Sequence, residues 1–150
     1  MITFYDSPVG PLRIESDGES IKVCAFAQTF ENTNCECPVI AECVNELEAY
    51  FAGTLTEFNV KLKPAGTDFQ KRVWDALRKI PYGETASYKK IAEAVGNPKA
   101  CRAVGSANHE NPIVILIPCH RVVGSDGKLT GYGGGLDKKK FLLDREKRKR

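Results

Sequence analysis

Residues 87–107 read SYKKIAEAVGNPKACRAVGSA, and this stretch contains two helical patterns separated by a tight turn. Ser87 is a preferred N-cap residue, so the first helix is expected to begin just after it. The Gly96-Asn97-Pro98 sequence predicts the turn, and a second helix is expected over about residues 99–107. Two short helices across a tight turn predict a helix-turn-helix.

The second of these helices is unusual because its side chains are small. Arg102 is the one long side chain between residues 100 and 107. Small side chains let a helix backbone come close to another molecule, whereas a helix that reads bases in the major groove needs several long polar side chains. An ordinary helix-turn-helix regulator is therefore not favoured. The small residues are Ala100, Ala103, Gly105, Ser106 and Ala107.

A further helix is predicted before the helix-turn-helix. Thr67 with Gln70 three residues later is typical of a helix start, and Pro81-Tyr82-Gly83 is typical of a helix end. The apolar residues of this segment fall on one face, as expected for a helix that packs on a core. They are Phe69, Val73, Trp74, Leu77 and Ile80.

The first part of the chain has a different pattern, which predicts strands joined by tight turns. Helical spacing predicts one covering helix over residues 39–51, with Gly53 as its stop. The expected strands are residues 2–5, 12–16 and 21–27, which form an antiparallel meander, and a short strand at residues 58–62.

Residues 63–66, Lys-Pro-Ala-Gly, have the composition of a linker. The expected fold class is α+β, with a small N-terminal antiparallel-sheet lobe and its covering helix in residues 1–63. Residues 64–150 are expected to form a mainly helical C-terminal lobe with a winged-helix-like helix-turn-helix and a reactive cysteine.

The overall charge indicates little about function. The 150 residues carry a formal net charge of only +3, so any DNA-binding surface must come from local arrangement. No apolar run approaches the roughly 20 residues needed to span a bilayer, and residues 1–7 lack signal-peptide character. A soluble, cytoplasmic protein without a membrane partner is expected.

The six cysteines are expected to be reduced thiols, as is usual in an intracellular chain. Four of them could in principle form a four-thiolate metal site, but the Cys35-Glu36-Cys37 spacing is tighter than the usual two to four residues. Free thiols are favoured, and neither a metal nor another cofactor is expected. The four are Cys24, Cys35, Cys37 and Cys43.

Residues 111–123 read NPIVILIPCHRVV, with a cysteine and a histidine after an apolar run. The run at residues 113–117 predicts a buried strand or a packed segment. A thiol with a pKa of about 8.5 is only a few per cent thiolate at neutral pH, so a reactive Cys119 needs a nearby base or cation. His120 and Arg121 could supply one, and in an extended segment His120 would act through a water molecule. A buried thiol beside a surface imidazole is the alternative.

The end of the chain predicts a loop and a helix. A glycine-rich loop is expected at residues 131–135 and a final helix from Leu136 through Glu146. The basic residues 147–150 are expected to be a solvated helix end, near the negative pole of the helix dipole.

Together these motifs resemble the O6-alkylguanine-DNA alkyltransferase family, the methylated-DNA-protein-cysteine methyltransferases. Ile117-Pro118-Cys119-His120-Arg121-Val122 resembles the active-site signature of the family, and the resemblance covers most of residues 66–146. Residues 1–63 resemble the family more loosely, chiefly at Tyr5-Asp6-Ser7-Pro8. Further matching motifs are Pro81-Tyr82-Gly83-Glu84-Thr85, Ser87-Tyr88, Gly96-Asn97-Pro98, Arg102-Ala103-Val104-Gly105, Asn111-Pro112, Tyr132, Gly134-Gly135-Leu136 and Glu146.

The resemblance implies a DNA repair methyltransferase that moves the alkyl group of O6-alkylguanine irreversibly to Cys119, one turnover per molecule. O6-methylguanine is the expected substrate, with O4-methylthymine as a second candidate. The resemblance further implies that His120 draws the thiol proton through a bound water and that Glu146 holds and polarises the imidazole. Asn111 would tie the helix-turn-helix to the active-site segment through backbone hydrogen bonds.

The resemblance also implies that the partner is alkylated double-stranded DNA, bound by a monomer through the minor groove with the target nucleotide flipped out. Arg102 would fill the space left by the flipped base. Tyr88 would crowd the phosphate beside the flipped nucleotide, and Tyr132 would lie against the guanine and donate a hydrogen bond to it. The other positions expected to contact DNA are Lys89, Asn97 and Ser125.

Two positions deserve comparison with the family pattern. Asn108 stands where many relatives have an apolar residue near the pocket, and Cys101, next to Arg102, is a second candidate thiol. A rival function is that of a non-enzymatic alkyltransferase-like damage-recognition protein, which resembles the family but lacks the acceptor cysteine. The presence of Cys119 argues against that function.

Overall fold

The computed structural model describes residues 1–33, 36–129, 132 and 135–148. The chain divides into two compact units, Met1–Ala65 and Gly66–Arg150. The first unit begins with an antiparallel meander, as predicted, in which Ser7 pairs with Gly10 across the first turn. The three strands are β1, Ile2–Ser7, β2, Gly10–Ser16, and β3, Ile21–Phe26.

Helix α1, Pro38–Ala52, packs on this sheet. Proline suits the first turn of a helix because the backbone N–H that it lacks would have no partner there. Gly53 ends the helix with φ 82°, a left-handed conformation that glycine adopts without strain. The buried face of α1 consists of Val39, Ile40, Cys43, Leu47, Tyr50 and Phe51.

The strand predicted at residues 58–62 is not present. The pairing of this segment is a single parallel bridge between Ile21 and Leu62. The reason lies in α1, where the Glu46 carboxylate accepts hydrogen bonds from the backbone N–H groups of Asn59 and Val60 at 3.0 Å. Those donors are therefore not available to a strand ladder.

The second unit begins with helix α2, Asp68–Leu77. The predicted capping box is present: Thr67 Oγ1 accepts from Gln70 N at 3.1 Å, and Gln70 Oε1 accepts from Thr67 N at 2.9 Å. Trp74 is 2% exposed, and its Nε1 donates to the carbonyl of Ala107 at 2.8 Å. This bond fixes α2 against the helix that contains Ala107.

Gly66, at the start of this unit, leaves no space for a side chain. A Cβ atom there would lie 2.5 Å from Cη2 of Trp74, whose ring is buried and held by its hydrogen bond. We expect Gly66→Ala to lower the free energy of unfolding by about 2 kcal/mol, the usual cost of overpacking a core. Denaturant unfolding measures this change. Gly105→Ala is the control, because its Cβ would meet Tyr88 at an ordinary 3.8 Å; equal losses in both variants would contradict the steric explanation.

The predicted helix-turn-helix is present as α3, Tyr88–Ala94, and α4, Cys101–His109. Ser87 is the N-cap of α3, and its Oγ accepts from Lys90 N at 3.0 Å. The second helix begins two residues later than predicted, since Ala100 N donates to Asn97 O at 3.0 Å and still belongs to the turn.

A short parallel pair and a last helix complete this unit. Strand β4, Ala86–Ser87, precedes α3 and pairs with β5, Val122–Val123. Helix α5 is Leu136–Arg148, close to the predicted helix. The two units together confirm the α+β class. Within the described residues, none of the helices is both long and apolar enough to cross a membrane.

Candidate active site

The apolar run before the cysteine forms a buried turn. The Asn111 side chain closes it, since Nδ2 donates to Ile117 O at 2.8 Å and Oδ1 accepts from Ile113 N at 3.0 Å. Ile115 has φ 73°, a conformation that a β-branched residue rarely adopts. The strand alternative is therefore wrong and the packed-segment alternative is correct. The buried residues of the run are Ile113, Ile115, Leu116 and Ile117.

Cys119 begins a single 3₁₀ turn, Cys119–Arg121, instead of continuing an extended segment. The residue is only 3% exposed. Burial raises the pKa of the Cys119 thiol, whereas hydrogen bonds with the Asn111 and Tyr132 side chains and the positive charge of Lys139 lower it. The sulfur therefore lies in a buried site that contains several groups able to stabilise a thiolate.

His120 is fully buried, and its Nε2 lies 2.7 Å from Glu146 Oε2. The same carboxylate accepts two hydrogen bonds from Arg121, from Nε at 2.8 Å and from Nη2 at 3.0 Å. Arg121 Nη1 donates to Ile80 O at 2.7 Å, just beyond α2. The guanidinium therefore pairs with Glu146, rather than supplying the cation that the sequence suggested for Cys119.

The protonation states within this cluster follow from the pairing. Burial alone would raise the pKa of Glu146, but the hydrogen bonds and charges of His120 and Arg121 hold it at about 2. Burial lowers the pKa of His120, although Glu146 opposes the change. At neutral pH the cluster thus contains a carboxylate, a guanidinium and a neutral imidazole. The imidazole donates its proton from Nε2 to Glu146, so Nδ1 has the free lone pair.

Two family models match the chain along nearly its whole length. The model described as the 6-O-methylguanine DNA methyltransferase DNA binding domain matches residues 68–148. That described as the ribonuclease-like domain of the same proteins matches residues 1–64. The chain belongs to this family.

Relatives in the methyltransferase family are similar over most of their length. The methylated-DNA–protein-cysteine methyltransferase of Methanosarcina acetivorans is 51% identical, over 95% of both chains. That of Mycobacterium tuberculosis is 52% identical, over 95% of this chain and 89% of the relative. The crystal structure of Mycobacterium tuberculosis OGT in complex with DNA has a TM-score of 0.92 at 48% identity, over 99% of this chain and 93% of that chain.

The residues expected to catalyse the reaction are buried in the methyltransferase fold, whereas four of those expected to contact DNA lie at its surface. Cys119, Asn111 and Tyr132 meet at the sulfur, and His120 meets Glu146. Tyr88 is half-buried, and a Cβ atom added at Gly105 of α4 would lie 3.8 Å from its ring. The exposed members of the predicted DNA-contact set are Lys89 on α3, Asn97 in the turn, Arg102 on α4 and Ser125 in the loop after β5.

The site contains two further buried polar residues: Lys139 was not identified from the sequence, and Asn108 was noted only as a departure from the family pattern near the pocket. Lys139 has no exposed surface, donates from Nζ to Val122 O at 2.6 Å, and its charge favours the ionised form of Cys119. Asn108 is 4% exposed, and its Nδ2 donates to Cys119 O at 3.4 Å. Helical spacing could have found the lysine, because Lys139, Leu142 and Glu146 lie on one buried face of α5.

The remaining cysteines differ in exposure. Cys101 is exposed on α4, whereas Cys24, Cys37 and Cys43 are buried in the first unit as free thiols. Cys35, the fourth residue of the possible thiolate site, lies outside the described residues, as do Gly131, Gly133 and Gly134 of the glycine-rich loop and Lys149 and Arg150 of the basic end.

Proposed function

We propose that this chain repairs O6-alkylguanine in DNA by transferring the alkyl group to Cys119, and that each molecule reacts once. The observation that carries the proposal is the buried cluster in which the Cys119 sulfur meets Asn111, Tyr132 and the charge of Lys139. The neighbouring residue, His120, is paired with a carboxylate in the same cluster. Membership of the methyltransferase family supports the same substrate.

In the proposed reaction His120 Nδ1 takes the thiol proton of Cys119 through a water molecule, and the thiolate sulfur attacks the alkyl carbon. An S–C bond forms as the bond from that carbon to guanine O6 breaks, and the guanine leaves with the electron pair. The Tyr132 hydroxyl donates a hydrogen bond to the departing base, which takes up a proton from water as the His120 imidazolium returns its proton to water. Lys139 stabilises the thiolate before attack, and Asn111 holds the turn that supports it.

The target oxygen lies inside the duplex stack, so the proposal includes rotation of the nucleotide into the site. The small side chains of α4 suit close approach to the minor groove, where Arg102 would take the place of the flipped base. Tyr88, Lys89, Asn97 and Ser125 would contact the DNA around it.

We further propose that residues 64–150 form the DNA-binding and alkyl-acceptor domain. Every group assigned to the reaction belongs to the unit Gly66–Arg150 of one chain. A second copy of the protein is therefore not needed for the chemistry, which supports a monomer as the active form.

Incubation with an excess of duplex containing one O6-methylguanine is expected to add one methyl group per protein molecule, on Cys119. The product is a thioether, which is a poor leaving group, so the thiol is not regenerated. The added methyl group in a packed site is also expected to reduce stability by about 1–3 kcal/mol. Peptide mass mapping locates the methyl group, and a thermal melt of the reacted protein measures the loss.

Two cysteine variants are the controls for this experiment. Cys119→Ser should take up no methyl group, and Cys101→Ser should behave like the unmodified protein because that thiol lies outside the buried cluster. Multiple turnovers, a methyl group on another cysteine, or an unchanged melting temperature would each contradict a different part of the proposal.

A further inference from the structure

Asn108 lies near the end of α4 with one end of its side-chain amide bonded and the other free. Its Nδ2 donates to the carbonyl oxygen of Cys119 at 3.4 Å. A carbonyl can only accept a hydrogen bond, so this contact fixes which end of the amide is the NH₂ group. The other end, Oδ1, is buried and has no hydrogen-bond partner among the residues that the structure describes.

A second buried acceptor belongs to the residue after Cys119. Since His120 Nε2 carries the proton that is shared with Glu146, His120 Nδ1 is an acceptor. It too is buried, and it has no partner in the described part of the chain. Folded proteins contain few such atoms because each unpaired polar group is costly to bury. One of these atoms belongs to a side chain that is bonded to the Cys119 carbonyl, and the other belongs to the next residue along the chain, so a single common partner would account for both.

The neighbouring charged side chains have other partners. Arg121 is bonded to Glu146 and to the Ile80 carbonyl, and Lys139 donates to the Val122 carbonyl at 2.6 Å. Two acceptors cannot bond each other, so they need a small group with two donors, and water is the smallest. The titratable and charged groups that face this position are Cys119 and Arg121 in the 3₁₀ turn, Lys139 and Glu146 from α5, and Tyr132.

We propose that Asn108 positions the water molecule that carries the proton from Cys119 to His120. The two O–H bonds of this water point to Asn108 Oδ1 and to His120 Nδ1, which leaves its oxygen lone pairs to accept the thiol proton. As the water accepts that proton it passes one of its own to Nδ1, so the water is regenerated, the sulfur becomes a thiolate and the imidazole becomes a cation. The inference rests on the proposed function, and it assigns to Asn108 a role in proton transfer rather than in the shape of the alkyl pocket.

The test compares Asn108→Leu with Asn108→Ala. The leucine side chain removes the acceptor Oδ1 and fills the space of the asparagine. The pH midpoint of methyl transfer is therefore expected to rise by about one unit, and the rate at pH 7 is expected to fall about tenfold. The alanine leaves space for a second water in place of the amide, so its rate loss should be about threefold. Single-turnover rates with excess protein and a duplex containing one O6-methylguanine, measured across pH in H₂O and D₂O, give both values.

His109→Ala is the matched control, because His109 is exposed in the same turn of α4. Methyl transfer by this variant should have the same pH midpoint as methyl transfer by the unmodified protein. A midpoint in Asn108→Leu equal to that of the unmodified protein overturns the inference. Equal shifts in the two Asn108 variants also overturn it, since they would assign the effect to the lost bond with the Cys119 carbonyl. If the leucine variant does not fold, the alanine variant decides: an unchanged midpoint and an unchanged D₂O effect overturn the inference. Failure of the unmodified protein to take up methyl would instead contradict the proposed function.

Discussion

Glu146→Gln is expected to slow methyl transfer at pH 7 by about 100-fold, the lower range of what a general base contributes. The carboxylate, whose pKa is about 2, is ionised at this pH and makes the buried His120 more basic. Without that charge the pKa of His120 falls further, so a higher pH is needed to form the Cys119 thiolate. Rates measured across pH should show a profile shifted toward alkaline pH, with DNA affinity nearly unchanged. His120→Phe should show a similar loss.

Glu146→Gln is also expected to lower the stability of the fold. This effect must be distinguished from the effect of the substitution on the rate of methyl transfer. Arg121 would be left buried without its charged partner, and this typically costs roughly 3–5 kcal/mol. The double variant Arg121→Met/Glu146→Leu replaces both groups with apolar side chains and should recover most of the stability without recovering the reaction. Asp144→Asn, which alters a more accessible carboxylate on α5, is the control. Methyl transfer at the unmodified rate in Glu146→Gln would contradict the relay.

The low pKa of the Glu146 carboxylate also makes the stability of the folded protein depend on pH. The folded pKa of about 2 lies below the ordinary value of 4.5. Its contribution to stability is therefore complete above about pH 4.5 and is lost as the pH falls toward 2. The Glu146→Gln variant lacks this carboxylate, so it lacks this loss of stability in acid. The difference in melting temperature between the unmodified protein and the variant should therefore become smaller as the pH falls from about 4.5 toward 2.

Arg102→Ala is expected to slow repair of methylated duplex DNA by about 100-fold, while reaction with free O6-benzylguanine changes less than twofold. Arg102 is exposed on α4, and no hydrogen bond or ion pair holds it within the described part of the chain. Its proposed role is to replace a flipped base, and extruding a base costs a few kcal/mol. Free O6-benzylguanine does not have to be extruded from a duplex, so its reaction does not need this role of Arg102. Parallel single-turnover rates on the two substrates measure the difference.

Loss of positive charge alone could also weaken DNA binding, so a second arginine serves as the control. Arg78, the exposed C-cap residue of α2, carries the same charge outside the helix-turn-helix. Arg78→Ala should reduce duplex repair only slightly. If Arg102→Ala impairs both substrates equally, or if Arg78→Ala has the same effect on duplex repair, then Arg102 does not replace a base.

The sequence predicted those parts of the fold in which local chemistry determines the backbone. Thr67 and Gln70 form their capping box, and Gly53 ends α1. The apolar run at residues 113–117 was harder to interpret because hydrophobicity predicts burial but not conformation. Its turn depends on the Asn111 side chain and on the unusual backbone of Ile115. A strand at residues 58–62 failed to form because Glu46, distant in sequence, binds its backbone donors.

Within the site, the sequence motif identified the residues nearest to the reaction but not those that determine their charge. Lys139 lies in the sequence LDKKKF, where three consecutive lysines resemble a solvated surface. The signal for its burial is helical spacing, because Lys139 lies on the same face of α5 as the buried residues Leu142 and Glu146. Asn108 similarly resembled a variation of the pocket wall, and its bond to the Cys119 carbonyl depends on how α4 packs on the 3₁₀ turn.

The burial of Cys119 has a consequence for a protein that is consumed by its own reaction. Any oxidant or electrophile that reached this sulfur first would remove one molecule from the supply available for repair. With 3% of its surface exposed, Cys119 is shielded from molecules that are not delivered into the site, whereas Cys101 faces solvent. Thiolate reactivity depends on access as well as on pKa. The enclosure therefore acts as storage: it preserves a single-use reagent until a damaged base is presented to it.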